Sequence, residues 1–288
     1  MSAARILQAA KNLRVFVPLL AAHGPFTAAT LTPLVGTFLA FLTATWAVYL
    51  VNDVLDREAD RSHPHKAHRA VAAGRVTPRA ALVAALGLAA VAGALLALFD
   101  VPTSAGWILA GYLGLALLYG TVLKRLLLID VFALSALSMA RLFAGGAATA
   151  TPISPWLMAL SGFLFLSLAF LKRFGELHAR GVGEAEPVPG RAYRGKDLTV
   201  LRTAGMTSGY GAVLVLALYV NGAQAEQLYG RPELLWLACP ALLYWITRMW
   251  ILVSRGDAID DPIALALTDP ASYAAGAWVF AAGMLAHG

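Results

Sequence analysis

Nine stretches of roughly 20 residues carry almost no charge: about 13–29, 32–51, 79–99, 104–123, 127–148, 155–172, 203–221, 232–252 and 270–287. A helix needs about 20 apolar residues to cross the hydrocarbon of a bilayer. Only structures that satisfy their own backbone hydrogen bonds survive there. These windows are too long for strands, so they predict an all-α, polytopic membrane protein. The first window is the weakest, because Gly24 and Pro25 interrupt it. Composition agrees: 59% of residues are hydrophobic and 13% charged, against about 25% charged in soluble domains. A single cysteine, Cys239, excludes a disulfide scaffold and a thiolate metal cluster.

The charges between the windows orient the chain. With the N-terminus on the cytoplasmic side, 20 of the 22 Lys and Arg residues fall in cytoplasmic segments. Only Arg231 falls outside, and Arg141 lies within a span. Basic loops favour the cytoplasm, so nine spans with an inside N-terminus are predicted. All acids except Asp100, Glu226 and Glu233 fall on the same side, which that rule does not demand. Acids and bases gathered on one face suit metal and phosphate chemistry. The expected location is an inner (plasma) membrane with its active site facing the cytoplasm, and nucleic acid is not an expected partner.

Asn52-Asp53-Val54-Leu55-Asp56-Arg57-Glu58-Ala59-Asp60 directly extends the second window. On a helix, positions i, i+3 and i+7 share one face. Three carboxylates there would repel one another unless a cation sat among them. Mg²⁺ is held by one or two carboxylates together with substrate phosphates, which makes Asp53, Asp56 and Asp60 candidate ligands. The plainer reading is a solvated helix end whose acids pair with Arg57 and Arg61. Downstream, Lys66, Arg69 and Arg75 offer cations for phosphate oxygens. His63, His65 and His68 lie around Pro64 at a spacing unlike a zinc site.

The row Asn-Asp-x-x-Asp-x-x-x-Asp, with the basic stretch and Ala73-Gly74 after it, resembles the first aspartate-rich motif of the UbiA superfamily of intramembrane prenyltransferases. The resemblance implies nine transmembrane helices around a central cavity, one transferase domain over residues 1–288, and Mg²⁺ on Asp53, Asp56 and Asp60. Lys11-Asn12 resembles the family's early Lys-Asn pair. Tyr119-Gly120-Thr121-Val122-Leu123-Lys124 resembles its Tyr-Ser-x-x-Leu-Lys segment. Asp130 and Arg141, with Gly145-Gly146, resemble its fifth-span pattern. Asn52, Lys11, Asn12, Lys66, Arg69, Tyr119, Lys124, Asp130, Arg141 and Arg173 are thereby implied in substrate binding. Asp53, Asp56, Asp60, Lys172 and Glu176 are implied in catalysis.

One region departs from the family pattern. Where aromatic-acceptor members carry a second aspartate-rich motif, this chain reads Lys172-Arg173-Phe174-Gly175-Glu176. That stretch resembles the branch of polyprenyl-phosphate phosphoribosyltransferases, which implies 5-phosphoribosyl 1-diphosphate as donor and a polyprenyl phosphate as acceptor. Tyr193-Arg194-Gly195-Lys196-Asp197-Leu198 also resembles relatives of that branch. The plainer reading of Glu176 is an ion pair with Arg173 at helical i+3 spacing. Three functions follow: phosphoribosyl transfer, prenyl transfer to an aromatic or other small acceptor, or a lipid-phosphate carrier without turnover. A homo-oligomer is compatible with each.

Two further features carry expectations. An arginine at mid-membrane depth costs about 2.5–3.5 kcal/mol on insertion scales, so Arg141 must face a partner or cavity. Asp130 is too far along the same helix, which leaves a bound phosphate or another span's acid. Asp260-Asp261-Pro262 has the pattern of a cap for the last helix; pairing of the loop's acids with Arg248 is the alternative.

Overall fold

The computed structural model describes residues 10–61, 67–179, 191–256 and 262–287, all helices and connecting turns. The long helices are α1 (Ala28–Leu55), α2 (Pro78–Leu98), α3 (Thr103–Thr121) and α4 (Ile129–Ala148). They continue with α5 (Pro155–His178), α6 (Leu198–Val220), α7 (Ala238–Ser254) and α8 (Pro270–His287). Among the described residues seven helices are long and apolar enough to cross a membrane, namely α1 to α7, with α6 and α7 lengthened by short 3₁₀ turns. The expected crossing at 13–29 does not form one helix. A 3₁₀ segment, Ala10–Phe16, runs into the five-residue helix Val17–Ala21, and the chain then turns before Pro25. Gly24 and Pro25 end the helical run, as their backbone preferences require. The eighth long helix forms at the expected place, but its Ser272, Tyr273 and terminal His287 make it less apolar than the seven.

Local chemistry sets the helix starts. Thr77 Oγ1 accepts from Ala80 N at 3.2 Å and Ser154 Oγ from Leu157 N at 3.1 Å, each with proline in the first turn. Both are N-caps that satisfy an otherwise orphaned donor. Asp269 does the same for α8, accepting from Ser272 N at 3.0 Å. The last helix is therefore capped by Asp269-Pro270. Asp260 and Asp261, the expected cap, lie outside the described residues. Large apolar side chains point outward, Leu86 at 73% exposed and Trp107 at 74% among them; such a surface needs lipid around it.

The chain divides into two compact units. One comprises Asn12–Lys124 and Ala140–Pro152. In it α1 and α3 lie side by side and parallel: Thr45 meets Tyr112, Asn52 meets Gly120, and Asp56 meets Lys124, so both helices advance together. Gly145 is indispensable to the same unit, because a Cβ there would lie 1.8 Å from Val15 O. Small residues permit this kind of close approach between membrane helices.

The other unit comprises Met1–Lys11, Arg125–Met139 and Ile153–Gly288. Its core gathers Val131, Phe170, Leu171, Phe174, Leu201, Met249 and Trp250. Gly205 lets α6 approach Trp250 and Phe170, where a Cβ would stand 2.2 Å from the indole. Trp250 Nε1 donates to Ser167 Oγ at 3.3 Å, so its polar edge is satisfied inside the core.

Candidate active site

The carboxylate row sits where α1 ends. Asp56 is the C-cap of α1, and the short helix Arg57–Arg61 begins directly after it. The break changes the pattern expected of one continuous face. Asp53 and Asp60, both buried, converge on a single nitrogen of Arg69, at 3.2 and 2.9 Å. Asp56 instead pairs with Lys124 Nζ at 2.5 Å. Arg57 and Arg61 go to the exposed Glu58, so the simple helix-end pairing of the three aspartates with those arginines does not form. Gly74, at φ +73°, closes the turn that follows Arg69, and Arg75 donates to the His68 carbonyl. Lys66, His63 and His65 lie outside the described residues.

The donor set fits a hard divalent cation. All its ligating atoms are oxygens, and Asp53 and Asp60 already reach one cationic point. Asn52 Oδ1, one turn before Asp56, is buried without a hydrogen-bond partner. A Cβ on Gly120 would crowd that oxygen at 2.4 Å. Among the described residues no three His, Cys, Asp or Glu side chains are grouped as a ready metal cage. The third carboxylate, Asp56, is turned to Lys124.

A second cluster lies in the other unit. Asp130 and Arg173 are both fully buried and form an ion pair with Arg173 Nε at 2.5 Å from Asp130 Oδ2. Tyr193 Oη donates to Asp130 Oδ1 at 2.5 Å, and Val131 N donates to the same oxygen at 2.8 Å. Leu128 N in turn donates to Tyr193 Oη at 3.1 Å. Burial, and then the bond to the Asp130 carboxylate, push the Tyr193 phenol well above its ordinary value of 10.0. Arg173 also donates to Glu176, which accepts from Arg191 at 3.2 Å as well. The i+3 pair expected of Glu176 therefore forms, and Arg173 bridges two carboxylates. Lys172, next to it, is half-buried.

The third cluster surrounds Arg141. Its Nε donates to Asn12 Oδ1 at 2.7 Å and a terminal nitrogen donates to Tyr112 Oη at 2.8 Å. The guanidinium also lies over the Tyr112 ring, 4.6 Å from its centroid. Thr45 Oγ1 completes the network, 3.4 Å from Asn12 Oδ1 and 3.3 Å from Tyr112 Oη. Neutral oxygens and an aromatic face are thus among the partners of Arg141. Tyr119 and Lys11 are half-buried, and Lys11 belongs to the other unit.

The UbiA prenyltransferase family matches residues 15–267, most of the chain. This chain belongs to that family. It is a family of transferases, and with seven apolar helices the chain is an integral membrane protein. It is 31% identical to the nodulation protein NoeC of Azorhizobium caulinodans, over 91% of this chain and 84% of that one. It is 38% identical to decaprenyl-phosphate phosphoribosyltransferase of Mycobacterium tuberculosis over 143 residues, 49% of this chain and 46% of the relative. It likewise spans 55% of the length of a Sinorhizobium fredii relative, so about half of some relatives is matched. In fold it resembles a UbiA homolog from Archaeoglobus fulgidus bound to GPP and Mg²⁺, with TM-score 0.66, 14% identity, and 96% and 98% of the two chains covered.

Of the residues the sequence marks, the structure brings Asp53 and Asp60 to Arg69, and Asp56 to Lys124. The sequence had separately marked Asp130, Arg173 and Glu176, which form the second cluster, and Asn12 with Arg141, which form the third. It had not marked Tyr112, Thr45, Tyr193 or Arg191 as site residues. Tyr112 and Thr45 stand as polar groups inside otherwise apolar windows, and that was the available signal. Arg191 and Tyr193 sit in a loop, where no periodicity reveals a partner.

Proposed function

We propose that this chain is a Mg²⁺-dependent intramembrane transferase that displaces diphosphate, and that it moves a phosphoribosyl group from 5-phosphoribosyl 1-diphosphate to a polyprenyl phosphate. The carrying observation is the acid-and-cation cluster of Asp53, Asp56, Asp60, Arg69 and Lys124. In this reading the three aspartates hold the metal, which supplies Lewis acidity at the leaving diphosphate when bound. Lys124 and Arg69 place positive charge where the leaving oxygens become more negative. Lys66, Asn52 and Tyr119 are assigned to the same substrate. The C1–O bond to diphosphate breaks, a C1–O bond to the lipid phosphate forms, and diphosphate leaves. An ionised phosphate acceptor needs no general base.

The choice of a phosphate acceptor rests on the second cluster. The carboxylates near the position of the family's second acid motif, Asp130 and Glu176, are both bonded to arginine. That leaves a site richer in cations than a two-metal clamp. Lys172 is the cation assigned there to phosphate, with Arg173 and Glu176 fixing the helix beside it. Asn12 and Arg141 are assigned to the polar interior. Similarity to the phosphoribosyltransferase of M. tuberculosis supports the same choice. The reading includes a cytoplasmic N-terminus and active face, and a single transferase domain over 1–288.

A second reading is prenyl transfer from a prenyl diphosphate to a small acceptor, favoured by the likeness to a UbiA homolog bound to GPP and Mg²⁺. One assay separates them. Purified protein with Mg²⁺ is given 5-phosphoribosyl 1-diphosphate and a panel of polyprenyl phosphates, and products are identified by mass spectrometry. Phosphoribosyl lipid is the expected product. Its absence across the panel, with diphosphate released from a prenyl diphosphate instead, would replace the first reading with the second.

A further inference from the structure

Each aspartate of the row already has a cation tethered to it by the chain itself. Arg69 stands where Asp53 and Asp60 converge, and Lys124 stands on Asp56. Asp53 and Asp60 have side chains only 8% and 6% exposed, so two carboxylates at this separation are untenable without such a charge. The three carboxylates and two cations named here sum to one negative charge. Adding a divalent ion alone makes these five side chains one charge positive together and draws the carboxylates away from Arg69 and Lys124. Adding a diphosphate with the ion restores partners to both, since phosphate oxygens accept from Arg and Lys as carboxylates do.

We propose that Arg69 and Lys124 are resident counterions of the metal-binding aspartates, which pass from carboxylate to phosphate as the metal enters, so that metal and diphosphate bind only as a pair. This rests on the reading of the site given under the proposed function and adds to it an order of events. Arg69 and Lys124 have two tasks, holding the acids together beforehand and gripping the diphosphate afterwards. The free protein is a poor divalent-ion binder by construction. Linkage makes the effect reciprocal: whatever factor the metal adds to diphosphate affinity, diphosphate adds to metal affinity. The same exchange keeps Asp53 and Asp60 from collapsing onto stray divalent ions when donor is absent.

The test is equilibrium dialysis of the detergent-solubilised chain, counting Mn²⁺ and labelled pyrophosphate retained by protein, each alone and both together. For the native chain, each should bind at least about tenfold tighter in the presence of the other, within the usual range of coupling between sites. Arg69→Gln should raise affinity for Mn²⁺ alone by about tenfold and reduce the synergy to roughly threefold or less. Lys124→Gln, at a more exposed pair, should act in the same direction and serves if Arg69→Gln is not monodisperse. Tight Mn²⁺ binding that is lost in Asp53→Asn, yet equal with and without pyrophosphate, would overturn the exchange and leave the metal reading standing. Unchanged Mn²⁺ affinity in both cation variants would overturn it as well. No Mn²⁺ retained under any condition would overturn both readings.

Discussion

Arg173 is the side chain whose removal the structure prices most clearly. It is a fully buried guanidinium ion-paired with Asp130, which is itself fully buried, and with Glu176, which keeps Arg191 as a second partner. Replacing it by methionine preserves much of its volume and leaves the buried Asp130 carboxyl without its cation, Tyr193 Oη and Val131 N still donating to it. Breaking a buried pair from one side costs about 3–5 kcal/mol. Replacing both partners by apolar residues is often neutral. The double variant Asp130→Leu with Arg173→Met forfeits the Tyr193 bond and should cost only about 1–2 kcal/mol. The double variant is therefore more stable than the Arg173→Met single. Reversible unfolding in mixed micelles, followed by tryptophan fluorescence, measures all of these. A single variant within about 1 kcal/mol of the native chain, or a double variant that costs the sum of both singles, would refute the reasoning.

Three other outcomes follow from the geometry. Gly145→Ala places a Cβ 1.8 Å from Val15 O, so the backbone must shift; a loss of about 1–3 kcal/mol is expected in the same unfolding assay. The Arg248 guanidinium, 2.8 Å away, and then the Ser272 bonds hold the Asp269 carboxyl below its ordinary value of 3.8. A depressed carboxylate stabilises the fold above its ordinary value and loses that contribution as pH falls through the folded value, so Asp269→Asn should flatten the acid limb of stability below about pH 4. Tyr193→Phe removes the donor to Asp130 and the acceptor for Leu128 N, and should destabilise the chain by about 1–3 kcal/mol in the unfolding assay.

The helices were legible because membrane burial leaves long uncharged runs, and seven of nine windows became helices able to cross. The window at 13–29 misled because its average is apolar while Gly24 and Pro25 stop the helix. In the site, Asp53, Asp56 and Asp60 were legible as a row. Their partners were not, since Arg69 lies 16 residues beyond Asp53 and Lys124 comes from just past the end of α3. Helical spacing also predicted one shared face, and the break at Asp56 turned the middle carboxylate to a different cation. Arg141 was legible as a group in need of partners, but Asn12 and Tyr112, which bond to it, were not legible as those partners, because they lie 129 and 29 residues away in the chain. Glu176 was legible in its i+3 pairing, while the Tyr193 bond to Asp130 crosses too many residues for any pattern to show.

The most direct test of the account is Mg²⁺-dependent release of diphosphate from 5-phosphoribosyl 1-diphosphate, measured with and without a polyprenyl phosphate, in the native chain and in Asp53→Asn and Asp60→Asn. Release should require both the metal and the lipid phosphate and should fall by about 100-fold or more in each variant. Release that persists in both variants at the native rate would contradict the assignment of this carboxylate cluster as the centre of the reaction.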